Sequence, residues 1–175
     1  DAGVVYSVQT MTEGLLLSGS YRAYQPPAPA VTGSLSGAAL SRNTLSGFAS
    51  SAAGNIPFSL NYQAAAYEQP SSLPLIAGDY ALNTNGVFLS ATVASDGSVT
   101  TTDSEGCVFT GAFTVPDLRY NAYRLAGIYQ CAGFPDQTIS GIASFQPADG
   151  LTPATVSVIA SDGGDFAVAG SAQRF

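Results

Sequence analysis

The sequence predicts an all-β fold, an antiparallel barrel or sandwich of about ten strands with one disulfide and little helix. Three observations carry that prediction. Short alternating or apolar runs recur at intervals of roughly 8–12 residues, separated by Gly, Asn, Asp, Ser or Pro, which is the spacing of sandwiches and barrels. Helical periodicity is nearly absent; its best stretch, residues 63–67, is too short to hold without packing. The two cysteines, Cys107 and Cys131, stand symmetrically about a turn.

The strands are expected at 14–24, 34–41, 44–50, 56–66, 77–82, 86–94, 98–103, 107–115, 120–131, 138–146, 153–160 and 165–173. Asp96-Gly97 and Asp162-Gly163 lie between alternating runs and predict two-residue hairpin turns with both central residues at positive φ. Asn83-Thr84-Asn85-Gly86 marks a third turn. The run Gln25-Pro26-Pro27-Ala28-Pro29 reads as an extended, exposed loop, because proline has no N–H for a ladder. A second proline-bearing segment, from Glu68 to Pro74, is the natural internal boundary. The chain is therefore read as one domain, 1–175, in two halves, 1–68 and 75–175, since some 70 residues without a disulfide make a marginal core. A closed barrel is the preferred form, because a chain with no Lys cannot guard open strand edges with it.

The cysteines set a register. If 107–115 and 120–131 form one hairpin, Cys107 faces Cys131, Phe109 faces Tyr129, Gly111 faces Gly127 and Phe113 faces Leu125. A non-hydrogen-bonded pair brings Cα atoms to about 4.5 Å, within reach of a disulfide. The facing glycines point to a bend or to a group approaching the backbone. Two Cys and no His fall short of a structural zinc set, and no Cys-x-x-Cys spacing supports a redox pair.

Composition excludes much chemistry. With no His, Ser-His-Asp and Cys-His catalysis are ruled out; with no Lys, so are Schiff bases and the phosphate-binding lysine of a P-loop. Five scattered arginines against twelve acids, for a net charge of −7, argue against nucleic acid and against anionic membranes. No apolar run is long enough for a transmembrane helix. No cofactor is expected, and no metal; Asp96, Asp103 and Glu105 are weak calcium candidates, as are Asp162 and Asp165 for a carboxylate site, but Asp beside Gly is what hairpins require. Binding is sought instead at Tyr21, Arg22 and Tyr24, and at Tyr120, Tyr123 and Arg124, since Tyr and Arg are enriched in binding hot spots. The competing reading of these tyrosines is the rim of a β core with wet hydroxyls.

The ordered motifs Leu75-Ile76-Ala77-Gly78-Asp79-Tyr80, Ser95-Asp96-Gly97-Ser98, Gly106-Cys107-Val108-Phe109-Thr110-Gly111, Asn121-Ala122-Tyr123-Arg124-Leu125, Cys131 and Ser140-Gly141-Ile142-Ala143 resemble a group of uncharacterised proteobacterial envelope lipoproteins. There a Gly-Cys-x-[Tyr/Phe]-x-Gly strand precedes Asn-x-Tyr and a second Cys. The resemblance spans roughly positions 75 to 145 and implies a periplasmic or outer-membrane β domain, often lipid-anchored upstream. It carries no active site to transfer. The expected function is a non-enzymatic exported module that binds an envelope component or protein through its loops. A small-ligand carrier with a lipocalin-like cavity is the alternative, and a carboxylate-based hydrolase the least favoured.

Overall fold

A computed structural model of the chain describes residues 5–13, 16–25, 28–84, 87–164 and 166–175. The fold is all-β, and the chain divides into two compact units, Asp1–Ala64 and Ala65–Phe175.

The first unit is a five-stranded antiparallel meander: β1 (Val5–Glu13), β2 (Leu16–Gln25), β3 (Ala28–Ala39), β4 (Thr44–Ser51) and β5 (Gly54–Asn61), in sequence order. Alternation gives the sheet two unlike faces. Leu17, Tyr21 and Leu35 share one face and are buried, while Ile56 and Leu60 on the same face are exposed. Ser18, Ser20, Ser34, Ser36, Ser46 and Ser50 form the other, with Ser18 opposite Ser36 and Ser20 opposite Ser34. The Tyr21 ring lies over its cross-strand partner Gly33, where a Cβ would sit only 2.4 Å from the ring. The edge strand β5 carries Pro57. In a hairpin closed at Ser51 and Gly54, position 57 is a non-hydrogen-bonded site, so its nitrogen faces outward and the free edge lacks one donor.

Two expectations in this unit need correction. Residues 5–13 form a strand that was not anticipated, its alternation being diluted by Ser, Gln and Thr. The third strand begins at Ala28, not 34, and includes Pro29: Gln25 pairs with Ala28, and the register is irregular between Ala23 and Gln25. Pro26 and Pro27 lie outside the described residues.

Two single-turn helices precede the second unit's strands: α1 (Ala64–Tyr67), which begins at the last residue of the first unit and lies inside the stretch with helical character, and α2 (Leu73–Ile76), which the sequence did not predict. Pro74 lies in the first turn of α2, where its missing N–H costs nothing. Eight strands follow: β6 (Gly78–Thr84), β7 (Val87–Val93), β8 (Ser98–Asp103), β9 (Val108–Thr114), β10 (Tyr123–Gln130), β11 (Gln137–Gln146), β12 (Thr155–Ser161) and β13 (Ala167–Arg174). Each pairs antiparallel with the next, and β13 returns to β6 through Gln173–Ala81 and Arg174–Tyr80, closing the barrel.

The expected register of β9 and β10 is the observed one: Phe109 faces Tyr129, Gly111 faces Gly127, and Phe113 faces Leu125. Cys107 and Cys131 are disulfide-bonded with Cα atoms 4.4 Å apart. The facing glycines have a specific cause. A Cβ on Gly111 or Gly127 would meet the Phe109 ring at 2.6 or 2.5 Å and the neighbouring strand's backbone closer still, so the ring occupies the space two side chains would need.

Inward positions carry the core: Tyr80, Phe109, Phe113, Tyr123, Ile139 and Phe145 are all buried and belong to one packed cluster. Small residues such as Ala91, Ala143 and Ala160 alternate with them, as filling a narrow barrel requires. Outward positions mix Ser and Thr, for example Ser90, Thr92, Thr100, Thr110, Ser144 and Ser157, with exposed apolar side chains, Phe88, Ile128, Ile142 and Ile159.

The Asp-Gly hairpin linking β7 to β8 is present but differs in type. Only Gly97 has positive φ, and the bonds Gly97 N–H to Ala94 O and Ala94 N–H to Ser98 O define a type I turn followed by a bulged glycine. Asp96 stays out of the left-handed region because its Oδ1 accepts the Ser98 amide at 2.9 Å. In the β12–β13 connection Gly163 alone has positive φ among the described residues. Thr84 pairs with Val87, bracketing the third turn, whose Asn85 and Gly86 lie outside the described residues.

Candidate functional site

The barrel has two ends of different construction. At the disulfide end, Asp103 organises the β8–β9 turn. Its Oδ1 accepts the amides of Glu105 and Cys107, each at 2.9 Å, and its Oδ2 accepts the Tyr129 hydroxyl at 2.7 Å. The Tyr129 ring stacks on Phe166 at 5.4 Å. Burial pushes the Asp103 carboxyl up, but the hydrogen bonds from Tyr129 and from the amides of Cys107, Glu105 and Gly106 outweigh it and hold the group below the ordinary range. Burial, the bond to Asp103 and the charges of Asp103 and Glu105 push Tyr129 up to about 12. Asp103 is therefore a saturated structural acceptor.

The calcium reading fails on geometry. Asp96 and Asp103 lie at opposite ends of β8, and Asp96 is occupied by the Ser98 amide and hydroxyl. Asp162 accepts the amides of Gly164 and Phe166, while Asp165 lies outside the described residues. Among the described residues no three Asp, Glu, Cys or His side chains are grouped to hold a metal ion.

The tyrosine candidates separate as well. Tyr21 points to the apolar face of the sheet, over Gly33, and Arg22 projects to the opposite face, so the pair forms no joint surface. Tyr24 is buried. Tyr123 is 1% exposed, turned into the barrel with its hydroxyl donating to Ser72 O at 3.4 Å, whereas Arg124 points outward. These are core and wall positions, set by strand alternation that the spacing Tyr123-Arg124 already contained. Of the second group Arg124 is exposed on the barrel wall, and Tyr120 is half-buried in the loop before β10.

What surrounds Tyr120 is the best candidate site on this unit, at the α2 end. Its ring stacks on Tyr67 of α1, centroids 4.8 Å apart and planes 14° off parallel, and the Arg119 guanidinium lies 5.3 Å from its centroid. Arg119 in turn makes a two-pronged bond to Asp117, Nε to Oδ1 at 3.1 Å and an NH2 to Oδ2 at 2.7 Å. These bonds, with the Arg119 amide, hold the Asp117 carboxyl down to about 2. The result is an ordered stack of carboxylate, guanidinium and two phenol rings.

The loop bearing this stack is pinned. Asn121 exchanges bonds with the Phe145 backbone on β11, accepting its N–H at 2.8 Å and donating to its C=O at 2.7 Å, so the side chain imitates a strand neighbour. It also donates from Nδ2 to Ala66 O and from its amide to Tyr67 O. Ser71, itself buried, donates to Leu118 O and Asp117 O. Inside the same mouth, α2 places Ile76 fully buried, Tyr80 donates to its carbonyl at 2.7 Å, and Arg174 donates to the carbonyls of Leu75 and Ala77 while lying against the Phe145 ring. Against this scaffold Leu118 and Leu151 stand out at loop tips, 67% and 100% exposed.

Sequence reasoning missed Tyr67, Leu118, Arg119 and Leu151 as surface groups. The available signal was weak: Asp117-Leu118-Arg119-Tyr120 is a polar turn with one large apolar residue at its centre. Comparison of the chain with protein-family models, with curated proteins and with solved structures returned no match in any of the three.

Proposed function

We propose that the barrel unit is a non-enzymatic interaction module that grips a protein partner through its α2 end. The observation that carries this reading is the pairing of exposed leucine tips with a pinned Arg–Tyr–Tyr stack. Aromatic and arginine anchors held rigid before binding lose little entropy on association, which is the character of an interface hot spot. A barrel fold equally suits a carrier of small apolar ligands; weighing against that reading, the inward positions are taken by the protein's own aromatic rings. The disulfide supports an exported location, periplasmic or at the outer membrane, because cytosolic thiols are kept reduced. A lipid anchor on an upstream cysteine belongs to the same reading.

The test is differential capture. The native chain and an L118D/L151D variant are immobilised and exposed to the same envelope extract, and retained proteins are compared by quantitative mass spectrometry. The reading expects a protein held by the native chain and lost from the variant. Identical retention overturns it.

A further inference from the structure

The α2 end of the barrel already carries an occupant. From the end of α1 to the start of β6, residues 66–77 lie at the mouth, and side chains from separate elements fasten this segment by its main chain. Asn121, in the loop before β10, donates from Nδ2 to Ala66 O at 3.0 Å and from its amide to Tyr67 O at 2.9 Å. Tyr123 on β10 donates to Ser72 O at 3.4 Å, and Tyr80 on β6 to Ile76 O at 2.7 Å. Arg174 on β13 donates to Leu75 O at 3.2 Å and to Ala77 O at 3.0 Å. We infer that this mouth is a peptide-binding site, filled in the folded chain by the chain's own segment 66–77. Its ligand class is a short peptide held by its carbonyls and by an aliphatic anchor. The inference goes beyond the contact proposed for Leu118 and Leu151.

Few side chains of the segment are held. Ile76 is fully buried in the packed cluster, and Leu73 packs against that cluster. Leu73 also lies over Gly97 of the β7–β8 turn, where a Cβ would sit 3.0 Å from Leu73 Cδ2. Ser71 is buried and donates its amide and its hydroxyl to the carbonyls of Leu118 and Asp117. Glu68, Gln69, Pro70, Pro74 and Leu75 are exposed. Donors aimed at carbonyls accept any peptide that can follow the same path, and the pockets for its side chains decide which sequence is held. Here Ile76 is the main anchor and Leu73 the second.

The segment does not keep this shape by itself. α2 is a single turn, and helices so short are marginal in water, so it forms on the barrel as a bound peptide does. Gly78, at φ +151°, stands between the anchor and β6, in a conformation that favours glycine. The chain can turn there without disturbing the wall. Tethering gives the seated segment an effective concentration of order millimolar, which excludes a free peptide of modest affinity. Weakening the seated anchors opens the mouth to the same peptide supplied from outside.

The experiment adds a fluorescein-labelled synthetic peptide of residues 64–78 to the full-length, disulfide-bonded protein and to its L73A/I76A variant, and follows anisotropy. A second peptide carries Ile76→Asp. Circular dichroism and a thiol assay establish that the variant folds. The inference expects saturable binding of the first peptide to the variant. Binding should be at least about tenfold weaker for the second peptide, and at least about tenfold weaker for the first peptide on the native chain. A folded variant that binds neither peptide, or both alike, overturns the inference, and so does native binding equal to the variant's. Hydrogen exchange of the native chain decides the matter without any variant. The amides of Ser71, Leu75 and Ala77 should exchange ahead of those in β9 and β10, because a seated peptide leaves while the barrel stays closed. Exchange in step with β9 and β10 makes the segment an inseparable part of the core and overturns the inference.

Discussion

The open sheet and the closed barrel are built from the same materials and solve different problems. Both set a facing pair of glycines in mid-sheet, Gly37 with Gly47 and Gly111 with Gly127, and both lay an aromatic ring over glycine, Tyr21 on Gly33 and Phe109 on Gly111. Both carry Ser and Thr on the opposite face. In the barrel, closure consumes every strand edge and turns the apolar face inward on itself. In the sheet an edge strand survives, bearing Pro57, and part of the apolar face, Ile56 and Leu60, stays in solvent. The lesson is that alternation alone decides which residues share a face, and closure decides what that face can do. A barrel that satisfies its own interior frees its loops for contact.

The largest expected effect distinguishing the two units comes from reduction. The disulfide closes a separation of 24 residues within the barrel, and opening it should destabilise that unit by about 3.5 kcal/mol. Hydrogen exchange with and without reductant should show faster exchange in β9 and β10 and little change in β2–β4. Equal acceleration in both units would break the comparison.

A smaller contrast comes from the paired glycines. Alanine at Gly127 would place its Cβ 2.4 Å from the Thr110 carbonyl oxygen, and alanine at Gly37 only 2.1 Å from that of Ser46. Closed walls cannot splay, so G127A should cost about 1–3 kcal/mol, and G37A less, because an open sheet can relax. Denaturant melts followed by exchange within each unit measure both. A larger loss from G37A would show that the sheet is the more constrained body.

The smallest effect is a pH dependence confined to the barrel. Tyr129 is raised above the unfolded tyrosine value of about 10, so its contribution is intact below pH 10 and lost as pH climbs toward 12. Allowing for solvent screening it is under about 1 kcal/mol. Y129F should flatten that part of the alkaline stability curve; an unchanged slope would remove Tyr129 as its source.

How much was legible follows from the same physics. The β9–β10 register and the disulfide could be read because facing pairs, Cys with Cys and Gly with Gly, constrain one another at short range. Helix α2 could not, since four residues containing a proline have no periodicity and form only because Ile76 finds the barrel mouth. The motif Asn121-x-Tyr123 was visible, but its meaning was not: Asn121 imitates a strand for Phe145 across 24 residues, and Tyr123 fills the core. Tyr67 meets Tyr120 only once both helices and the barrel are in place. Sites built from distant loops leave no local pattern to read.

The account stands on an interior occupied by the chain's own rings, with contact made from outside. Native mass spectrometry of the oxidised protein, after incubation with a mixture of long-chain fatty acids, addresses that directly. The account predicts a single species at the bare-chain mass less two hydrogens; a saturable one-to-one adduct would contradict it.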